Sequence, residues 1–176
     1  MNSEVRLVRP GPDDADRWVR WRREDQAARY MPFAPADREA LAKRLAGTSG
    51  DLADRSVTEY RWMVLCCGAV IGTVAALNPS WTMGYVEISY HLEQQFHRRG
   101  IGKRAVAELV RLLFTQPDLH HVFATVSHDN LASRALLESL GFRHEGTLRE
   151  HLRINGKCVD QCIYGVLRQE WDVDGT

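Results

Sequence analysis

The chain has no surplus charge, no long apolar run and few cysteines. Its 23 Lys and Arg balance 23 Asp and Glu over 176 residues. A balanced chain has no net field to draw it to nucleic acid or an acidic membrane, so neither is an expected partner. No apolar stretch approaches the roughly 20 residues that a bilayer-spanning helix needs. Met1-Asn2-Ser3-Glu4 leads into a charged segment and not into a secretory signal, so a cytoplasmic location is expected. The four cysteines are Cys66, Cys67, Cys158 and Cys162. They show no C-x-x-C spacing and no His/Cys cluster, so no metal site is expected and buried free thiols are the simplest reading. The phosphate fingerprints G-x-G-x-x-G and G-x-x-x-x-G-K-[ST] are both missing.

What is present is an ordinary globular composition, 44% hydrophobic and 26% charged, of a length that suits one domain over residues 1–176. Val5–Arg9 alternates as a strand would and stops at Pro10. Asp13-Asp14 can cap a helix carrying Trp18, Val19 and Trp21, Pro32 and Pro35 break the chain, and Leu41 and Leu45 mark a second helix. Strands are expected at Tyr60–Cys67, Ala69–Leu77 and Tyr85–Leu92, with a turn at Gly68 and a stop at Asn78-Pro79. Ile101, Ala105, Leu109 and Leu113 form a helical face. Val122–Val126 is a short buried-type strand, and Asn130–Leu140 a helix with Gly141 at its C′ position. Leu148–Ile154 and Cys158–Leu167 flank Asn155-Gly156, a strong hairpin signal. The order β-α-α-β-β-β-α-β-α-β-β is an α+β chain with a mixed sheet of about seven strands.

Between the strand ending at Leu92 and the helix opening at Gly100 lies Gln95-Phe96-His97-Arg98-Arg99-Gly100-Ile101-Gly102-Lys103-Arg104-Ala105. Two glycines let the main chain approach a ligand, helix-start N–H groups point at it, and Arg98, Arg99, Lys103 and Arg104 add charge. This is the composition of a pyrophosphate cradle. A tight turn with a solvated basic face would read the same, so the surrounding motifs decide. They are Glu87-Ile88-Ser89-Tyr90-His91-Leu92, Asn130 and Ser133 before Leu140-Gly141-Phe142, and Asn155-Gly156 followed by Asp160 and Tyr164.

With these motifs the chain resembles the GNAT superfamily of acetyl-CoA-dependent N-acetyltransferases, and within it the branch of RimJ/RimL-type protein N-terminal acetyltransferases. His97 stands where the family pattern Q/R-x-x-G-x-G/A has Gln or Arg. The resemblance implies a three-layer α/β/α GNAT fold whose parallel strand pair splays to admit the pantetheine arm. It implies that main-chain groups around His91 and Leu92 pair with that arm and that the Leu92 N–H holds the thioester oxygen. Amides from Arg98 through Arg99, Gly100, Ile101, Gly102 and Lys103 to Arg104 would hold the pyrophosphate, with Asn130 on the arm and Arg134 near a coenzyme phosphate. Relatives often dimerise, so a homodimer is an expected assembly.

The reaction consumes a neutral amine, which calls for a base, directly or through water. Glu87 stands where many GNAT enzymes carry a glutamate, and a salt-bridged strand carboxylate is the other reading. Glu150 is a second candidate, two residues from Leu152, where some relatives place their base. The tyrosine that many GNAT enzymes use on the thiolate is replaced by Leu137, and Ser133 is the branch's alternative. In a two-residue hairpin turn His151 would face Asp160 and Glu150 would face Gln161, with a cross-strand pair preferred over a dyad. His128-Asp129 reads as a cap region, and Trp81 as a turn residue able to line an acceptor pocket. The implied activity is acetyl transfer to a primary amine, first a protein or peptide N-terminus. A polyamine, an amine-bearing antibiotic, or a non-catalytic coenzyme A sensor are the alternatives. Arg17–Arg29 mixes both signs of charge and selects none of them.

Overall fold

The structure, a computed structural model, describes residues 4–11, 13–24, 29–30 and 37–171. The breaks expected at Pro32 and Pro35 lie outside them. In chain order the elements are β1 (Val5–Val8), α1 (Asp14–Arg22), α2 (Arg38–Ala46), β2 (Glu59–Cys66), β3 (Ala69–Ser80) and β4 (Tyr85–Leu92). Then follow α3 (Ile101–Phe114), β5 (His121–Ser127), α4 (Leu131–Ser139), β6 (Arg143–Ile154) and β7 (Lys157–Leu167). Short 3₁₀ turns cover Gln94–Phe96 and Arg168–Glu170.

One seven-stranded sheet has the order β1-β2-β3-β4-β5-β7-β6. Every pairing is antiparallel except β4 with β5, which α3 joins as a crossover. Alternation along β2 gives the sheet two buried faces. Tyr60, Trp62, Val64 and Cys66 join the large core with Ile101, Val106, Leu109, Leu113 and Leu137 of α3 and α4. Met63 turns the other way, into a smaller core with Trp18, Trp21, Leu41 and Leu45 of α1 and α2. Helices therefore cover both faces, giving three layers.

Asp37 caps α2 by accepting from the Ala40 N–H at 2.7 Å. At α1 it is Asp14, not Asp13, that bonds the chain, accepting from the Gly11 N–H at 2.7 Å. The two-residue turns Cys67-Gly68, between β2 and β3, and Asn155-Gly156, between β6 and β7, have two consecutive left-handed residues, the turn whose twist suits antiparallel strands.

Two strands outrun their expected limits by more than one residue. β3 continues past Asn78, which takes φ 46° at an irregularity, and Ser80 pairs with Tyr85. β6 begins at Arg143 and not at Leu148. Its first half is exposed and polar, so alternation gave no signal there. Glu150 takes φ 49° and the β6–β7 register shifts between Leu148 and Leu152, so Leu148 and not Glu150 faces Gln161. The expected His151–Asp160 pair does not form. Asp160 accepts instead from the Glu150 main-chain N–H at 2.8 Å. Burial of the thiols is likewise half right: Cys66 and Cys162 are buried, Cys67 and Cys158 are exposed, and no disulfide joins any of the four.

Gly72 of β3 faces the His91 carbonyl so closely that a Cβ there would overlap it and the Leu92 side chain. Gly72→Ala is expected to cost about 1–3 kcal/mol through forced separation of β3 and β4. Urea unfolding measures it, and an unchanged midpoint would show that the strands have room.

Candidate acetyl-transfer site

β4 and β5 pair only at Tyr85–His121, Val86–Val122 and Glu87–Phe123. Beyond that, β4 continues to Leu92 along β3 and β5 continues to Ser127 along β7. The two strands thus part, and each keeps one neighbour. The Glu93 N–H bonds the Ile71 carbonyl at 2.9 Å, and the His91 carbonyl lies against Gly72, so the odd residues turn their main chain to β3. By alternation Ile88, Tyr90 and Leu92 turn theirs to the gap. His91 therefore brings its ring to this region and not its main chain.

At the open end, Gly100 is the N-cap of α3 at φ 71°, with nothing within 4 Å of where a Cβ would stand. Arg104 N–H makes the first helical bond, to the Gly100 carbonyl at 3.2 Å, leaving the amides of Ile101, Gly102 and Lys103 without helical acceptors. Gly102 has a packing reason as well. A Cβ there would lie 3.0 Å from Leu136 and 3.2 Å from Leu92, so this glycine lets α3 close on α4 and β4. Arg98 (φ 58°) and Arg99 are exposed beside this glycine turn. His97 Nε2 lies 2.9 Å from the Leu92 carbonyl, and because a carbonyl only accepts, that nitrogen carries the proton.

The even side chains of β4 face α3 and α4. The Tyr90 hydroxyl meets Ser133 Oγ at 2.5 Å across the gap. Burial pushes the Tyr90 hydroxyl up to about 12. Asn130 accepts from the Ser133 N–H at 3.2 Å and so caps α4. Arg134 is engaged elsewhere: its Nε donates to the Tyr164 hydroxyl at 3.1 Å and its Nη1 to the His128 carbonyl at 3.0 Å. Tyr164 is buried and donates to Glu138 at 2.7 Å, as a packed residue of the last strand would.

The odd side chains turn to the opposite face, where His91 meets α1. Glu87, half-buried, accepts from the Thr125 hydroxyl. The His91 ring packs on Trp21 with centroids 5.7 Å apart, and its Nε2 lies 3.7 Å from Glu24. Burial, helped by nearby His97, holds His91 down at about 4. Burial raises the Glu24 carboxyl, with Glu93 adding to the effect. Glu93 is buried and accepts from Trp21 Nε1 at 2.8 Å, Arg20 Nη2 at 2.7 Å and Gln95 Nε2 at 2.7 Å. Burial alone would raise its carboxyl, but these donors outweigh it and hold the group below the usual range. An open cleft of about 620 Å³ lies here, lined by Arg20, Glu24, Glu93, Gln94 and Gln95.

The other sequence candidates are not drawn together with these. Glu150 is exposed in the β6 bulge, where its left-handed backbone breaks the shared face with Leu152. Trp81 is held between Tyr60, at 5.9 Å, and the Arg55 guanidinium, at 3.4 Å. Conversely, sequence reading passed over Tyr90, Glu93 and the His91 ring. Glu93 left a trace, an acid directly after an apolar strand. Tyr90 left none, because its partner lies 43 residues away.

The family of this scaffold is set by its match over residues 4–143 to the acetyltransferase (GNAT) domain. The chain belongs to the GNAT family. Among its GNAT relatives, an uncharacterised N-acetyltransferase p20 of Bacillus licheniformis is 27% identical, the match covering 90% of each chain. The putative ribosomal N-acetyltransferase YdaF of Bacillus subtilis is 30% identical over 60% of this chain and 57% of its own. Among solved structures, Mycobacterium smegmatis RimJ in complex with CoA-disulfide superposes with a TM-score of 0.82 at 25% identity, covering 94% of this chain and 83% of that one. No helix among the described residues is long and apolar enough to cross a membrane.

The His91 ring generates a pH prediction. A free histidine titrates near 6.5 and this one near 4, so between those values the unfolded chain takes up a proton that the folded chain refuses. Stability is therefore fully present above about 6.5 and declines as pH falls toward 4, by at most about 3 kcal/mol. His91→Gln should flatten that decline in thermal melts at a series of pH values. Parallel curves would mean that His91 is protonated as freely in the folded state as in the unfolded one. Glu93→Gln, which leaves Arg20 without its carboxylate, should cost about 1–3 kcal/mol at neutral pH, read from the same melts.

Proposed function

We propose that this chain transfers acetyl from acetyl-CoA to a primary amine, and that the acceptor is a protein or peptide N-terminus. The observation that carries the reading is the parting of β4 from β5 beside a glycine-capped helix. A gap of that kind suits an arm with its own amides, because Ile88, Tyr90 and Leu92 offer it main-chain groups as a neighbouring strand would. Gly100 and the first α3 amides suit the pyrophosphate, with Arg98, Arg99 and Lys103 adding charge. The acceptor class rests on likeness to YdaF and RimJ.

In this reading bound acetyl-CoA supplies the activated acyl group, and the residues of the chain do the rest. The Leu92 N–H faces the gap, where it would hold the thioester oxygen as negative charge builds. Glu87 stands five residues earlier. Extended chain rises about 3.3 Å per residue, so the two are separated by about 16 Å. Glu87 would therefore take the amine proton through ordered water and not by contact. Ser133, at the start of α4, would meet the departing sulfur.

Two measurements test this. Gly100→Glu introduces a bulky anion into open space, so coenzyme A affinity by calorimetry should be lost while stability falls only by the roughly 1–2 kcal/mol of a left-handed non-glycine residue. Retained affinity would overturn the cradle. Glu87→Gln should lower turnover by about 10²–10⁴ near neutral pH, less as pH rises and more acceptor is already neutral, with coenzyme A affinity unchanged. A flat pH–rate ratio would remove Glu87 as the base. Thiol release with N-terminal peptides and with polyamines as acceptors assigns the acceptor class. Coenzyme A binding without turnover on any amine would favour the sensor.

A further inference from the structure

We propose that Tyr90 is a positioning residue that aims the Ser133 hydroxyl proton at the sulfur leaving from coenzyme A. The proposal rests on the reading of Ser133 as the group that meets that sulfur.

Leu137 of α4, which the family resemblance makes the counterpart of a tyrosine, is fully buried in the core. A tyrosine hydroxyl reaches α4 all the same, but from β4. Tyr90 lies three residues beyond the last paired rung, Glu87 with Phe123, so its side chain enters where the strands have parted. Its hydroxyl stands 2.5 Å from Ser133 Oγ and 3.4 Å from the Ser133 carbonyl.

The relative acidities of the two hydroxyls set the direction of the bond. Each hydroxyl has one proton to donate. A phenol is the stronger donor and an alcohol oxygen the better acceptor, so Tyr90 donates and Ser133 accepts. The seryl proton then has no other acceptor among the described residues. Helix serines commonly donate back to a carbonyl one turn earlier, as Ser139 of the same helix does to the Leu136 carbonyl at 2.7 Å. Ser133 makes no such bond. Its main chain is fixed by Asn130, its oxygen is fixed by Tyr90, and its proton is left for the gap. Burial keeps the Tyr90 phenol protonated, so it remains a donor throughout the working pH range. The first turn of α4 also favours negative charge.

In the transfer step the C–N bond forms, the C–S bond breaks and the electron pair leaves on sulfur. Ser133 donates a hydrogen bond to that thiolate and keeps its proton, as Tyr90 keeps its own. The amine proton passes to the base through water, and the thiolate is protonated by water after leaving.

The test needs no turnover. The thiol of bound coenzyme A is titrated by the ultraviolet absorbance of its thiolate, with affinity followed by calorimetry. In the wild-type protein the bound thiol should titrate about one pH unit lower than in Ser133→Ala, the size of one hydrogen bond to a charged group. Tyr90→Phe should give most of the same rise, and the double variant should add nothing to Ser133→Ala. A ring-fluorinated tyrosine at position 90, a stronger donor of nearly the same shape, should lower the thiol further, and it serves if Tyr90→Phe does not fold. A rise in Ser133→Ala with Tyr90→Phe and the fluorinated protein matching wild type overturns the role of Tyr90. Ser133→Ala matching wild type while coenzyme A binds normally overturns the reading of Ser133. Failure of wild-type protein to bind coenzyme A overturns the cofactor assignment itself.

Discussion

The rest of the site depends on one place where pairing stops. After Glu87 and Phe123, β4 and β5 lose each other, and neither loses its strand character, because β3 holds one and β7 the other. Main-chain groups along both sides of the gap are then without sheet partners. Unpaired backbone is costly when buried, so such a gap is stable only when it faces water or something that bonds like a strand. α3, which joins the two strands, begins at the open end, so the glycine turn and the gap are one construction.

β4 also separates two chemistries by alternation alone. Its even side chains, Tyr90 and Leu92, meet α4 and Gly102, on the side of the glycine loop. Its odd side chains Glu87 and His91, with Glu93 just past its end, meet Thr125, Trp21, Glu24 and Arg20. Glu93 fastens α1 over the end of β4 through Arg20 and Trp21, which makes α1 a wall of the cleft. A one-residue slip in β4 would exchange the two sets.

The β6–β7 hairpin shows where local rules lose to tertiary context. Asn155-Gly156 makes the expected turn, and Leu152, Arg153 and Ile154 find the expected partners. Two residues further from the turn the register changes, because Glu150 takes a left-handed backbone and Asp160 receives its N–H. Bulges of this kind follow from what an edge strand must do with its exposed face. The letters His144-Glu145-Gly146-Thr147 give no alternation from which to read them. The candidate roles of Glu150, His151 and Asp160 depended on the unbroken register.

The sequence by itself determined the order of the elements, the mixed sheet, the glycine turn before α3 and the family. These are written in short-range patterns: apolar periods, an Asn-Gly turn, two glycines before a helix, and Asn130 three residues before Ser133. Only the tertiary structure decided which side chains meet. Arg134 bonds Tyr164 and the His128 carbonyl, which its place one residue after Ser133 does not announce. Tyr90 and Ser133, and Glu93 and Trp21, come together across 43 and 72 residues of sequence. Such contacts depend on the crossing of strands and helices packed elsewhere, so no local pattern of residues encodes them.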